Sequence, residues 1–319
     1  MPTIETVLCP VDFSASSRRE LRLATQICLR FSARLVLHHD LQSVPPPCLG
    51  AGWMWSESHV ADEDTKRACA EQALNELLGQ LPASIQAEAR ISKAPLGDSI
   101  LYLASRLPAD LIVLATHGRP TAEHEAVTER VLARATCPIL TTRDAGDQTV
   151  LPDLGPGVQT RIRVLVPVDD TEHSVQALSY AFGLSKHLPF DFELVCVEGR
   201  ACWDDLRYAT HFNIQEHRTR RMEAARERLR KLVPPELVAR TNIEILLGQP
   251  ATEIIRCAGR KGIQLIVMGT HSKRPLARLF TGATSCSILY ESNCPVWFVP
   301  EMPARSRSRL PARVAALAS

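Results

Sequence analysis

The sequence predicts an α/β protein built from two repeated domains, each folding as a parallel β-sheet flanked by helices. Three observations lead to this fold class. Apolar runs of strand length alternate with helical patterns, the whole pattern occurs twice, and a segment containing several Gly and Pro residues separates the two copies. Strands that alternate with helices of this length favour parallel sheets with right-handed crossovers.

The repeat is visible as matching sequences at a constant spacing. Residues 7–12 (Val-Leu-Cys-Pro-Val-Asp) match residues 164–169 (Val-Leu-Val-Pro-Val-Asp), 157 positions later. Near the end of each copy, the pair at 137–138 (Cys-Pro) matches the pair at 294–295 at the same spacing. Self-similarity at a fixed spacing indicates that one folding unit is written twice.

Each element follows from its local pattern. Ser14 is suited to cap the first helix, and Gly79 to end the second. In the first copy we expect strands at 6–11, 34–39, 85–91, 111–115 and 139–142, and helices at 15–31, 62–79, 98–106 and 125–134. In the second copy we expect strands at 163–168, 192–197, 242–246, 265–268 and 296–299, and helices at 172–186, 205–231, 251–260 and 284–291.

The repeat and its separator give the predicted domain boundaries. Domain 1 spans residues 1–143, a linker spans 144–160, domain 2 spans 161–300, and residues 301–319 form a basic tail expected to be disordered. Gly and Pro in the linker break both periodicities.

Composition limits the classes of function. A net charge of +2 and a pI near 8.1 give no strong polyanion footprint, so no specific nucleic acid is expected. No apolar run reaches the roughly 18 residues of a membrane span, and no secretory signal is visible. The 10 cysteines are scattered without a CxxC motif, which favours reduced, mostly buried thiols. We therefore expect a cytoplasmic protein without a membrane partner.

Both copies carry the same marks in the same order. These are an opening Pro-Val-Asp, a Ser before an Ala- and Leu-rich helix, a Gly before the third helix (Gly97 and Gly248), a Thr-His pair after the fourth strand (116–117 and 270–271), and the late Cys-Pro. This ordered set, present twice, resembles the universal stress protein domain. The resemblance covers nearly all of residues 3–142 and 161–300, so the chain resembles a tandem universal stress protein.

The resemblance implies a flavodoxin/Rossmann-like, five-stranded parallel sheet in each domain, with the two copies packed as an internal pseudo-dimer. It also implies a non-catalytic stress-response protein. Members of the family divide into ATP binders and non-binders, and the binders carry a Gly-x-x-Gly…Gly-Ser/Thr motif after the fourth strand. Glycines let backbone N–H groups approach phosphates, and the hydroxyl stands at the next helix N-terminus.

The first copy departs from the binding motif. Its Thr-His pair precedes that of the second copy by 154 positions rather than 157, so three residues are missing from the loop that follows. Glu125 and Ala126 stand where Gly-Ser is expected, and Glu123 adds a second carboxylate. Negative charge there would repel phosphates, so no nucleotide is expected in domain 1.

The second copy keeps the loop length. Gly269 is present, but Ser272 replaces the second Gly and Ala283 stands where Ser or Thr is expected. Thr284 or Ser285 could substitute by a shift of one residue. By the resemblance, Asp169 would accept from the adenine amino group, and Val197 lies at the strand end where family members present backbone to the base. ATP or a related adenine nucleotide, with Mg²⁺, is therefore the candidate ligand. The candidate binding residues are Pro167, Val168, Asp169, Val197, Gly269, His271, Ser272, Arg274, Gly282, Ala283, Thr284 and Ser285.

Two other classes of function stay open. One is a nucleotide-independent interaction module with both sites inactive, and the other is a slow ATPase. His117 and His271 lack an evident nucleophile and orienting partner, so no catalytic residue is proposed. The run at 38–40 (His-His-Asp) lacks Zn-like spacing, so no metal site is proposed. An unknown protein partner and a further homodimer complete the expectations.

Overall fold

The computed structural model describes two compact units of the chain, one ending at residue 143 and the other beginning at residue 160. The described residues are 3–42, 63–116, 127–143, 151, 160–199, 214–270 and 283–301. His117, Glu123, Glu125, Ala126 and most of the linker and tail lie outside them.

The first unit is a five-stranded parallel sheet with helices between its strands. The strands are β1 (Thr6–Pro10), β2 (Arg34–Asp40), β3 (Ala87–Ser92), β4 (Leu111–Thr116) and β5 (Ile139–Arg143). The helices are α1 (Ala15–Phe31), α2 (Glu63–Gly79), α3 (Leu96–Arg106) and α4 (Val127–Arg134). The strands are ordered β3-β2-β1-β4-β5, and every pairing is parallel.

The second unit repeats this plan. Its strands are β6 (Ile162–Pro167), β7 (Phe190–Glu198), β8 (Thr241–Leu247), β9 (Leu265–Gly269) and β10 (Val296–Val299). Its helices are α5 (Glu172–Leu184), α6 (Ile214–Leu232), α7 (Pro250–Lys261) and α8 (Ala283–Glu291), with a 3₁₀ helix at Pro235–Arg240. The order is β8-β7-β6-β9-β10, again parallel.

The strand order confirms the predicted fold class and refines it. An order of 3-2-1-4-5 is that of the Rossmann-type sheet, whereas a flavodoxin-type sheet runs 2-1-3-4-5. The chain direction along the sheet reverses between β1 and β4 in the first unit, and between β6 and β9 in the second. In open α/β sheets, ligands bind at this reversal, outside the carboxyl ends of the strands.

The apolar runs form the cores, as their sequence predicts. In the second unit, Trp297, Phe298 and Phe190 are almost completely buried. Phe192 packs edge-on against Phe190 and Phe182, with ring centroids 5.8 and 5.0 Å apart. Six of the eight described cysteines are buried, in line with their expected role as small apolar groups.

Hydroxyl caps start the helix that follows the first strand of each unit. Ser14 Oγ accepts from the Ser17 N–H at 3.1 Å, and Thr171 Oγ1 accepts from the Ser174 N–H at 3.3 Å. Such a cap satisfies an N–H of the first turn that has no partner within the helix. The first turns of α1 and α5 are thereby fixed beside the carboxyl ends of β1 and β6.

The predicted helices and strands all occur, and where both ends are described their bounds agree within two residues. Helix α1 and strand β10 have the predicted bounds. The 3₁₀ helix was not predicted, because Pro234 and Pro235 at its start indicate a turn in the sequence. Among the described helices, none combines the length and apolarity needed to cross a lipid bilayer.

Candidate functional site

A cavity of about 360 Å³ opens at the carboxyl ends of β6, β7 and β9 in the second unit. We call it the carboxyl-end cavity. It lies at the reversal of strand order, and its volume falls within the roughly 300–1,000 Å³ of small-molecule sites. Its lining residues are Pro167, Val168, Asp169, Thr171, His173, Ser174, Val195, Val197, Pro250, Ile254, Met268, Gly269, Thr284 and Ser285.

The exposed Asp169 carboxylate is held at the mouth of this cavity by the turn that follows β6. Its Oδ1 accepts from the Thr171 N–H at 2.9 Å and from the Thr171 hydroxyl. The Ser174 hydroxyl lies 3.1 Å from both the N–H and the carbonyl oxygen of Asp169. These bonds fix the carboxylate before any ligand arrives, and a carboxylate can accept several hydrogen bonds at once.

One wall of the cavity is apolar. Val195 and Val197 come from β7, Ile254 from α7 and Met268 from β9. The Val168 N–H extends the pairing of the strands by donating to the Val195 carbonyl at 2.8 Å. A wall of this kind beside a few fixed polar groups is typical of sites for flat organic ligands.

Gly269 stands where β9 meets the first turn of α5. A Cβ at this position would lie 2.6 Å from the His173 carbonyl oxygen and 2.9 Å from its carbon, closer than real Cβ contacts allow. The glycine is therefore required by the packing of α5 on β9. Its predicted role in admitting a phosphate is not needed to explain its presence.

Thr284 and Ser285, in the first turn of α8, line the cavity, and both side chains carry a hydroxyl. A helix N-terminus carries partial positive charge and unpaired N–H groups, which favour an anion. Ala283 begins this helix. That Thr284 or Ser285 supplies a hydroxyl by a one-residue shift stays a prediction.

Two cations of α6 approach the carboxylates that flank the cavity. Arg228 pairs with Asp170, the neighbour of Asp169. Arg221 Nη2 lies 2.7 Å from Glu198 Oε2, next to Val197. These pairs lower the negative charge around the mouth, which an anionic ligand would otherwise meet.

The structure brings together seven of the twelve predicted residues in this cavity: Pro167, Val168, Asp169, Val197, Gly269, Thr284 and Ser285. The predicted His271, Ser272, Arg274 and Gly282 lie outside the described residues. Sequence reasoning missed Thr171, His173, Ser174, Val195, Pro250, Ile254 and Met268. Thr171 and Ser174 could have been found from the capping pattern after Pro-Val-Asp.

The corresponding place in the first unit is polar. Strand register pairs Pro10 with His38 as it pairs Pro167 with Val195, so His38 and Asp40 occupy the positions of Val195 and Val197. Ser92 Oγ donates to Asp40 Oδ2 at 2.6 Å and lies 2.8 Å from His38 Nε2. His38 and Asp40 are at most 1% exposed. The end of β2 is thus occupied by a closed hydrogen-bonded cluster.

The neighbouring His39 is also tied to its own unit. Its Nδ1 lies 2.9 Å from the Val11 carbonyl oxygen, so this nitrogen carries the proton. The His39 ring packs on Phe13, with centroids 4.7 Å apart. Within the described ranges, no group of three or more His, Cys, Asp and Glu side chains is arranged to hold a metal ion.

Comparisons with known proteins agree on one family. The model of the universal stress protein family matches residues 3–143 and 161–300. A universal stress protein of Methanocaldococcus jannaschii is 26% identical over 139 residues, which are 43% of this chain and 81% of that protein.

Solved structures agree at the level of the fold. A universal stress protein from Archaeoglobus fulgidus superimposes with a TM-score of 0.66 at 17% identity, covering 92% of this chain and 96% of that one. A functionally unknown protein from Pseudomonas aeruginosa PAO1 gives 0.58 at 17% identity, covering 99% and 96%. Since the family match includes both units, the chain belongs to the universal stress protein family and carries two such domains.

Proposed function

We propose that this protein is a non-catalytic, cytoplasmic stress-response protein that binds ATP or a related adenine nucleotide in its second unit as a regulatory ligand. The observation that carries the proposal is the composition of the carboxyl-end cavity. A fixed carboxylate, an apolar wall and a helix N-terminus with hydroxyls surround one space at the reversal of strand order.

The residues present fit the parts of such a ligand. In this proposal the Asp169 carboxylate accepts from the adenine amino group, and Val195, Val197, Ile254 and Met268 cover the base. The first turn of α8 supplies N–H groups and the hydroxyls of Thr284 and Ser285 to the phosphates. Mg²⁺ would neutralise part of the phosphate charge when it accompanies the nucleotide.

The first unit is proposed to bind no nucleotide. His38 and Asp40 replace two apolar wall residues, and both side chains are hydrogen-bonded to Ser92. Because both side chains are already buried, a base could enter only by displacing them and breaking these hydrogen bonds, which costs free energy.

Isothermal titration calorimetry of the full chain with ATP, with and without Mg²⁺, tests the proposal. Asp169→Asn keeps an oxygen for the Thr171 N–H but replaces an acceptor by a donor, so the affinity for ATP should fall by about tenfold or more. Asp12→Asn is the matched control, because Asp12 Oδ1 accepts from the Ser14 N–H at 2.9 Å in the same turn of the first unit. This control should leave the affinity unchanged.

Inosine triphosphate provides an independent check of the role of Asp169. It carries a carbonyl where adenine carries the amino group, so a site built to accept that hydrogen bond should bind it about tenfold more weakly or worse. The absence of any heat with ATP would overturn the proposal. Equal affinity for both nucleotides would show that Asp169 does not recognise the base.

The alternative is an interaction module that uses no nucleotide. Gly269 favours it in one respect, because the packing of α5 on β9 would keep this glycine in either case. A chain that shows no ATP binding and yet retains a partner-binding activity would support the alternative.

A further inference from the structure

A second cavity of about 840 Å³ lies at the opposite end of the same sheet. Residues at the start of β6, β7 and β8 line it, whereas residues at the end of β6 line the carboxyl-end cavity. We call it the amino-end cavity. Its lining residues are Arg161, Arg163, Asp191, Phe192, Glu193, Ala239, Arg240, Thr241, Asn242, Arg260, Lys261 and Ile263.

The lining of the amino-end cavity is strongly basic. It contains five cations, namely Arg161, Arg163, Arg240, Arg260 and Lys261, and two carboxylates, Asp191 and Glu193, while a third carboxylate, Glu244, pairs with Arg260 and Lys261. This excess contrasts with the chain as a whole, whose net charge is only +2. A concave surface lined by charges of one sign concentrates ligands of the opposite sign.

Three of these cations are already engaged. Arg161 pairs with Asp191 at 2.8 Å, and Lys261 Nζ lies 2.5 Å from Glu193 and 2.7 Å from Glu244. Arg260 also pairs with Glu244. Asn242 Nδ2 also donates to Glu193, which fixes the position of that carboxylate. These ion pairs and hydrogen bonds therefore hold several of the lining side chains in fixed positions.

The other two cations have donors available for a ligand. Within the part of the chain that the structure describes, the side chains of Arg163 and Arg240 form no ion pair or hydrogen bond. The guanidinium of Arg163 lies over Gly262, where a Cβ would be 3.0 Å from its Nη2. Gly262 ends α7 with a φ of 56°, a conformation that favours glycine. The same glycine thus ends the helix and makes room for Arg163.

From this arrangement we infer that the amino-end cavity binds an acidic peptide segment of a partner protein, with Arg163 and Arg240 each receiving a carboxylate. Guanidinium groups bind carboxylates through two parallel hydrogen bonds. The lining also holds Asp191 and Glu193, so it is not continuously positive, as a groove for a run of phosphates would be. The carboxylates of a peptide are separated along its chain and can be spaced to miss Asp191 and Glu193. The mixed lining of the cavity therefore favours an acidic peptide over nucleic acid.

The experiment is fluorescence anisotropy of the full chain with a labelled peptide of about ten residues that alternates Glu with Gly and Ser. The same peptide with Gln in place of Glu is the uncharged probe. The acidic peptide should bind about tenfold more tightly than the Gln peptide, and Arg163→Gln/Arg240→Gln should remove this difference.

The matched control is Arg230→Gln/Lys231→Gln, which removes the same charge from exposed positions of α6. It should change the affinity for the acidic peptide by less than about twofold. Thermal melting of each variant shows whether it is folded, and Arg163→Lys/Arg240→Lys adds a charge-preserving variant that should recover only part of the affinity, because Lys lacks the bidentate geometry.

Three outcomes would overturn the inference. They are no preference for the acidic peptide, an equal loss in the α6 control, and tighter binding of a labelled oligothymidine of similar length. The last outcome would identify the cavity as part of a nucleic-acid surface.

Discussion

At the end of β2, the ring of His38 is buried and neutral, and its two nitrogens have different surroundings. The Ser92 hydroxyl donates to Asp40, so His38 must donate its Nε2–H to the serine oxygen. Nδ1 is then a buried acceptor without a hydrogen-bond partner among the described residues. Burial lowers the pKa of His38 from its usual 6.5 to about 4, against the opposing effect of Asp40.

This histidine should make the first unit sensitive to acid. The folded-state pKa lies below the unfolded-state value, so the unfolded chain binds more protons between pH 6.5 and about 4. The free energy of unfolding therefore falls as pH drops through this window, by about 2 kcal/mol at pH 5. Urea unfolding of the wild type and of His38→Gln at several pH values measures the effect. The variant should show a shallower loss of stability on acidification, and parallel pH profiles would contradict the assignment.

At the scale of the element, the crossing of β9 and α5 determines which residue can end β9. The His173 carbonyl approaches so closely that only glycine fits at position 269. In the first unit, the strand register places Ala115 at the equivalent position of β4. The first unit therefore accommodates a Cβ at this position, whereas the second does not.

Gly269→Ala should accordingly force α5 away from β9. Overpacking of this kind typically costs about 1–3 kcal/mol, so the melting temperature of the second unit should fall by several degrees. Gly259→Ala is the control, because a Cβ at this position of α7 meets no atom within 4 Å. In a helix, that change should be neutral or stabilising by up to about 1 kcal/mol. A similar melting temperature for both variants would contradict the packing role of Gly269.

The sequence predicts the helices and strands more completely than it predicts the candidate site. The bounds of α1 follow from Ser14 and the apolar spacing, which are local signals. The wall formed by Val195 and Ile254 was not predicted, because it depends on which strands and helices become neighbours at the reversal of strand order. The strain that a side chain at Gly269 would cause also depends on tertiary packing. Local patterns therefore specify elements, while the composition of a cavity needs the topology.

At the scale of the whole molecule, the two units share one fold but differ in the side chains at the carboxyl ends of their strands. The second unit has an apolar wall and a helix N-terminus at its reversal of strand order, whereas the first has a closed polar cluster of His38, Asp40 and Ser92. Because the fold is the same, the difference at the strand ends described here lies in a few side chains, beside the three residues that the first copy lacks after its Thr-His pair. Duplication followed by such divergence would let one copy keep a ligand while the other contributes only structure.

A ligand that binds one folded unit stabilises that unit by mass action. At an ATP concentration of about 100 times the dissociation constant, the stabilisation is about 2.7 kcal/mol. Hydrogen–deuterium exchange of the full chain, with and without ATP, can assign this effect to particular peptides. Under the proposed function, protection should increase in β6, β9 and α8 of the second unit and stay unchanged in β1, β2 and β4 of the first.

The Asp169→Asn variant supplies the comparison for this experiment. At the same ATP concentration its protection should rise less than that of the wild type, because a weaker affinity lowers the mass-action term. The Asp12→Asn variant should retain the full increase. Equal protection of both units by ATP would show that the polar cluster of the first unit does not exclude the nucleotide. The replacement of Val195 and Val197 by His38 and Asp40 would then no longer explain a difference between the two copies.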